Sequence, residues 1–320
     1  MKRRALLSAG VVAPLLGALG RAAASPLPDR PVRFIVPTAA AGGADAVMRI
    51  VAAGLSKLQG RQTLVENRPG ADGAIAAQYV ATLPPDGTTL LMGTNTAMVA
   101  LPALRPNTPY DPFKSFTPVG SLGQFSIFLI VPSSLPVKTV RELVDMVMAW
   151  PDKYNSASSN SASELAMLQV LGQGRVVNAR YKGDAPAVND MIGGQIQMMF
   201  TTATNAMPFV QDGRVRALLT AQPDRSPLLP DVPTATEMGF GSLTIVPWAG
   251  IFGPAGMDGE RLGVLGAALQ ATLADKEVRE QLNTVGFEGY GMTPQRFAER
   301  FKLQYDSFVQ LVQERNIKFD

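Results

Sequence analysis

The 320-residue chain contains no cysteine and no histidine. Without cysteine there is no disulfide framework, no thiolate nucleophile and no cysteine-held metal or cluster. Without histidine the Ser-His-Asp triad, the commonest general base near neutrality and most zinc and haem sites are excluded. Charge is sparse at 17%, against 46% hydrophobic residues. That balance fits one large or two ordinary globular domains and rules out disordered, collagen-like and coiled-coil chains. Motifs are missing as well. No Gly-x-Gly-x-x-Gly follows a strand pattern, the pair Gly-Lys never occurs and there is no Gly-x-Ser-x-Gly elbow. No cofactor and no metal site is expected.

What is present begins with an address. Lys2, Arg3 and Arg4 precede an apolar stretch, Ala5 to Gly20, interrupted by Pro14 and followed by Ala22-Ala23-Ala24. This is the pattern of a secretory signal cleaved after Ala24, with the general export route favoured over the twin-arginine one. The stretch is too short to span a bilayer, which needs about 18–20 apolar residues. No spanning run follows it, so the mature chain is expected in the periplasm, without membrane insertion. The segment removes four basic residues and no acid. The 29 Lys and Arg against 26 Asp and Glu of the full chain therefore become a net charge near −1. Nothing basic enough for nucleic-acid binding remains.

The mature chain alternates short apolar runs with helical periodicity. Val32–Val36 reads as a strand, followed by a small-residue turn and a helix with Val47, Ile50, Val51, Leu55 and Leu58 on one face. Gln62–Glu66, the turn Asn67–Gly73, a helix from Ala74 and the strand Thr89–Gly93 repeat the unit. Such repetition predicts an α/β fold with mostly parallel sheets and crossover helices. Tyr110–Val119 reads as a surface connection and Phe125–Val131 as one apolar strand. Thr139 with Glu142 predicts a capping box whose helix turns Leu143, Val144, Val147 and Trp150 inward. Ser161 with Glu164 predicts a second. Ile196–Phe200 and Val215–Leu219 read as strands, and Met191, Met198 and Met199 as core filler. A final helix starts at Thr293-Pro294 and carries Phe297, Phe301, Phe308 and Val312. Two lobes are expected: residues 25–120 with 246–320, and residues 121–245.

Three loops stand out, Thr38–Asp45, Gly70–Ala74 and Ser158–Ser161, each placing backbone N–H groups at a helix start. In open α/β sheets this edge binds ligands, and helix N-termini favour anions. The bland reading is a tight βα corner: Ser161 then serves only as a cap, and Asp45 only caps its helix or complements the dipole.

The residues around these loops resemble the receptors of tripartite tricarboxylate transporters, the TctC-like or Bug family. The match runs through Arg30–Pro37 into Ala41–Asp45, Glu66–Gly73, Tyr110-Asp111-Pro112, Phe116–Val119, Tyr181-Lys182-Gly183 with Pro186-Ala187, Leu229–Thr234 and Trp248-Ala249-Gly250. The resemblance implies a two-domain periplasmic-binding-protein fold of type II kind, closing on its ligand, with a membrane permease as partner. It also implies a ligand carboxylate held by Thr38, Ala41, Gly42, Gly43, Asp45, Gly70, Ala71, Asp72 and Gly73. The second domain then supplies Ser158, Ser159, Ser161 and Thr202. Asp72 stands where the family commonly has glycine, and Ser159-Asn160-Ser161 with Glu164 replace a Gly-x-Gly-Ser loop and a downstream histidine. Acidic groups near an anion site oppose a polyanion. The expected ligand is therefore a monocarboxylate, an amino acid or an amide-bearing acid rather than citrate. The alternatives are a ligand-sensing partner of a membrane kinase and an exported carboxylate-dependent enzyme.

Overall fold

The computed structural model describes residues 30–314 apart from 106, 173–174, 242 and 244–246. The export segment read from residues 1–24 lies outside the described residues. The chain runs β1 (Val32–Val36), α1 (Gly43–Gln59), β2 (Thr63–Asn67), α2 (Ala74–Ala81), β3 (Thr89–Thr94), α3 (Leu101–Leu104), β4 (Phe116–Phe125), β5 (Ile127–Pro132), α4 (Val140–Ala149) and β6 (Asn155–Ser158). It continues with α5 (Ser161–Leu171), β7 (Val177–Arg180), α6 (Asp184–Ile192), β8 (Met198–Thr202), α7 (Ala203–Gln211), β9 (Val215–Thr220), β10 (Trp248–Pro254), α8 (Gly259–Ala274), α9 (Lys276–Thr284), β11 (Phe287–Gly289) and α10 (Pro294–Glu314).

Two mixed sheets result, one per lobe. The first has the order β11-β4-β10-β3-β1-β2 and the second β7-β6-β8-β5-β9. β1 pairs in parallel with β2 and β3, and β6 in parallel with β7 and β8. The strands that link the lobes pair antiparallel within their sheets, β4 with β10 and β5 with β8 and β9. β1 shows why both faces of the first sheet are covered. Phe34 and Val36 point into a core with Val47, Met48, Val51 and Leu55 of α1 and Leu265, Leu269 and Leu273 of α8. Ile35, on the opposite face, joins Ala76, Ala77 and Val80 of α2 and the phenylalanines of α10. Only Arg33 interrupts the apolar run of β1, and a nearly continuous apolar run is the sequence form of a strand buried on both sides.

The apolar run Phe125–Val131 is divided between the sheets. Phe125 ends β4 in the first and Ile127 begins β5 in the second. Ser126 between them is pinned: its N–H donates to Gly286 O (2.8 Å), its carbonyl accepts from Ala203 N–H (2.8 Å) and its hydroxyl meets that of Ser226 (3.1 Å). Tyr110–Val119 is likewise more than a connection. Tyr110 is 6% exposed, and Phe116–Val119 opens β4. Pro118 is tolerated there because β11 covers only Gly123–Phe125, leaving that stretch of β4 an edge, and because the β10 register is irregular between Ile251 and Phe252. The second sheet's central strand is Met198–Thr202, two residues beyond the Ile196 start read from the sequence.

The Thr139–Glu142 capping box forms as read, and Leu143 and Val147 are buried. Trp150 is not inward: it follows the last helical residue with non-helical backbone angles (φ −137°, ψ 69°) and is 60% exposed, with the Lys153 ammonium 5.1 Å from its ring centre. The Ser161–Glu164 box does not form. Asn160 is the N-cap of α5, its side-chain oxygen accepting from Ser163 N–H (2.9 Å), and Glu164 pairs with Arg180 instead. At the C-terminal helix, Thr293 Oγ1 accepts from Arg296 N–H (3.3 Å), and Phe297, Phe301 and Phe308 are buried.

Candidate ligand cleft

Parallel β1, β2 and β3 end on one edge of the first sheet, where residues 38–42, 68–73 and 95–96 emerge. β6, β7 and β8 end on one edge of the second sheet, where residues 159–160, 181–183 and the start of α7 emerge. The two edges meet. Ser161 Oγ donates to Asp72 Oδ2, and Thr96 Oγ1 lies 3.5 Å from Asn160 Oδ1. Gly43 approaches so closely that an added Cβ would lie 3.3 Å from Thr204 Oγ1 and 3.4 Å from Thr202 Oγ1. The loops singled out in the sequence are thus brought together in two facing pairs, 38–45 with 202–204 and 70–73 with 158–161.

The first loop is shaped by Asp45, which is 4% exposed. Its Oδ2 accepts from Ala41 N–H and Arg49 Nε (both 2.9 Å), and its Oδ1 accepts from Asn67 Nδ2 (3.0 Å). Asn67 also donates to Thr38 O (3.1 Å), tying the end of β2 to the loop after β1. Burial alone raises the Asp45 pKa, but the hydrogen bonds from Arg49, Ala41 and Asn67 outweigh it and hold the carboxyl below its ordinary value. Asp45 and the Ala41 amide are therefore committed inside the protein, Ala41 in a left-handed conformation (φ 63°). The helix start is open by contrast: Gly42 is the N-cap of α1 and no side chain caps the first turn, which begins at buried Gly43. Thr38 is half-buried and its Oγ1 has no hydrogen-bond partner among the described residues, like Asn95 Oδ1 after β3.

The second loop is a run of left-handed residues: Gly70 (φ 122°), Ala71 (48°), Asp72 (54°) and Gly73 (92°). Gly73 N–H closes the turn on Gly70 O (3.0 Å). Non-glycine residues in this region cost roughly 1–2 kcal/mol each, so Ala71 and Asp72 store strain at the cleft. Gly73 admits no side chain, since a Cβ would sit 2.8 Å from Ala97 Cβ and 3.1 Å from Pro37 Cβ. It is also the N-cap of α2, whose first turn is again uncapped by any side chain. Beneath the loop, the Tyr110 hydroxyl donates to Ala97 O. Burial, and then the nearby Asp72 charge, push its ionisation far above the usual tyrosine range.

In the second lobe Asp184, in the first turn of α6, organises the facing surface. It accepts from Ser159 Oγ on one oxygen and from Thr201 Oγ1 (2.7 Å), Thr202 N–H (3.2 Å) and Asn205 Nδ2 (3.4 Å) on the other. Asn205 also donates to Thr202 Oγ1 (2.9 Å). Ser158 is buried, accepting from Asn178 Nδ2 (2.8 Å), and underpins the loop rather than facing across it. Ser161 is free to cross the cleft because Asn160 takes the capping duty. Asp184, Asn160, Asn205 and Thr96 were not singled out in the sequence. For Asp184 a signal existed: Gly183-Asp184 follows a strand and opens a helix, as Gly43–Asp45 does. Among the described residues no group of three or more Asp or Glu side chains is placed to hold a metal ion.

Residues 47–317 match the family described as the tripartite tricarboxylate transporter family receptor, TctC. The protein BugT of Bordetella pertussis is 30% identical over 90% of this chain and 86% of its own length. A solved structure described as a periplasmic transporter is 35% identical, with a TM-score of 0.84, covering 92% of this chain and 99% of the other. The Rhodopseudomonas palustris protein MatC, solved with bound malate, is 31% identical, with a TM-score of 0.80 over 89% of this chain and 100% of its own. With the family match spanning most of the chain, two lobes and an edge-to-edge cleft in hand, the chain belongs to the TctC receptor family of tripartite tricarboxylate transporters and has the two-domain periplasmic-binding-protein fold.

Proposed function

We propose that this protein captures a small carboxylate-bearing solute between its lobes and delivers it to a membrane permease of the tripartite tricarboxylate type. The observation that carries the reading is the convergence of two uncapped helix starts, at Gly43 and Ala74, on one cleft edge. Free N–H groups at the positive end of a helix suit an anionic oxygen, each contact contributing about 0.3–1 kcal/mol and up to ~2 when partly buried. Gly42, Gly43, Gly70, Ala71 and Gly73 let the ligand approach the main chain. Thr38 Oγ1 and Asn95 Oδ1, buried without partners, are further groups that a polar ligand would satisfy. Ser159, Ser161 and Thr202 close from the other lobe. MatC, solved with bound malate, carries a ligand of the same chemical class. The reading is binding without turnover.

Thermal-shift measurements with a library of small carboxylates test this. A true ligand at a hundred times its Kd stabilises the folded protein by about 2.7 kcal/mol and is recovered chemically unchanged. Failure of every carboxylate at millimolar concentration to raise Tm, or conversion of the ligand to a product, overturns it.

A further inference from the structure

Asp72 is the unusual group in this cleft. It occupies a left-handed position (φ 54°, ψ 28°) that glycine fills without strain, so its carboxylate is held there at a conformational cost. One oxygen, Oδ2, takes the Ser161 hydroxyl from the opposite lobe; Oδ1 takes no hydrogen bond from any described residue. Among the described residues no ion pair involves Asp72, although the residue is half-buried. The basic groups nearby in the chain are spent elsewhere. Arg49 is bound to Asp45 and Asn67, while Arg68 donates to Glu66 and stacks 3.6 Å from the Tyr79 ring centre. Lys182, in the loop after β7, is exposed and pairs with neither cleft carboxylate.

A second carboxylate, Asp184, stands across the cleft, tied to Ser159 two residues before Ser161. It too has no cationic partner among the described residues and is satisfied by hydroxyl, amide and main-chain donors. The loops therefore present amides for one anion and, beside them, fixed negative charge with an open oxygen. A ligand with two carboxylates brings like charge toward Asp72. A ligand with one carboxylate and one ammonium brings the missing counter-charge.

Resting on the receptor reading above, we propose that the ligand is a zwitterionic, amino-acid-like carboxylate whose ammonium group is accepted by Asp72 Oδ1. Ser161 orients the carboxylate from the other lobe, and the helix starts at Gly43 and Ala74 hold the ligand's own carboxylate. Asp72 is then the specificity-determining residue that separates this receptor from one for dicarboxylates.

Calorimetric titration of the mature protein with matched pairs tests the assignment. The pairs are L-aspartate and succinate, L-glutamate and glutarate, 4-aminobutanoate and butanoate, and β-alanine and propanoate, with L-malate and succinamate alongside. At least one ammonium-bearing acid is expected to bind about tenfold or more tightly than its deaminated partner. Asp72→Asn should abolish that preference without weakening the deaminated partner. Asp72→Gly, which relieves the left-handed strain and folds readily, should do the same and raise the affinity for succinate or malate. Ser161→Ala, which removes the cross-lobe bond but leaves the carboxylate, should keep the preference. Tighter binding of succinate, malate or succinamate than of every ammonium-bearing acid overturns the assignment, as does an equal loss for both members of a pair in Asp72→Asn. If no carboxylate of either kind binds, the receptor reading itself falls, and the ammonium assignment with it.

Discussion

At the scale of single residues, Asp45 shows how a charge inside the loop proposed to hold an anion is made compatible with that role. Three donors surround its carboxylate, and the backbone amide of Ala41 is one of them. The charge is thereby neutralised locally and the loop after β1 is fixed in shape. Because the native pKa lies below the ordinary 3.8, the resulting stability is fully present above that value and is lost as the pH falls through the native pKa. Asp45→Asn should cost about 1.5–3 kcal/mol at pH 7, the range for hydrogen bonds to a charged group. Urea midpoints measured from about pH 5 downward should then fall more steeply for the wild type than for the variant. Asp45 and Ser161 were both visible in the sequence, as were Ala41 and Asp72, but the pairings between them were not. A capping serine and a cross-lobe donor have the same spelling, and only Asn160 taking the N-cap releases Ser161 for the second role.

At the scale of elements, the Gly70–Gly73 turn is the piece whose shape the cleft depends on. Gly73 combines a positive φ with contacts from Pro37 and Ala97, so the turn after β2 is packed directly against the ends of β1 and β3. Gly73→Ala should destabilise the protein by about 1–3 kcal/mol, through left-handed strain and the clash together. Chemical denaturation checks this, and ligand affinity should fall in the same variant because the α2 helix start is displaced. The βα units of the first lobe were legible because hydrophobic period and turn chemistry agree there. Elements were misread where a contact remote in sequence overrides the local pattern. Phe125–Val131 is apolar but for Ser126, which is held by Gly286 and Ala203 and divides it between sheets. Trp150 continues the spacing of α4 but lies just past its last turn, where helical periodicity no longer directs a side chain inward.

At the scale of the whole molecule, the lobes are joined most tightly where Ser126, Ala203 and Gly286 meet. Gly286 has φ 69°, and a Cβ there would fall 2.3 Å from Ala203 Cβ at the start of α7. Thr204 Oγ1 also donates to Val285 O (2.8 Å) across this joint. A methyl group at Gly286 acts as a wedge between the element preceding β11 in one sheet and that following β8 in the other. Gly286→Ala should therefore hold the lobes further apart. The expected readouts are a larger radius of gyration by small-angle scattering in the presence of ligand and an affinity lower by about tenfold, equivalent to ~1.4 kcal/mol of closure energy. An unchanged radius and affinity would show that closure does not pass through this joint.

From composition and local pattern alone came the α/β class, the missing histidine and cysteine chemistry, the βα loops with their exposed amides and the family resemblance, since each depends on neighbours within a few residues. The pairing of Asp72 with Ser161, of Gly43 with Thr202 and Thr204, and of Ser159 with Asp184 was decided by tertiary structure. Ser159 and Asp184 meet within the second lobe, where parallel β6 and β7 end side by side, whereas the other groups lie 89 to about 160 residues apart along the chain and meet only because two sheets turn the same edge toward one cleft.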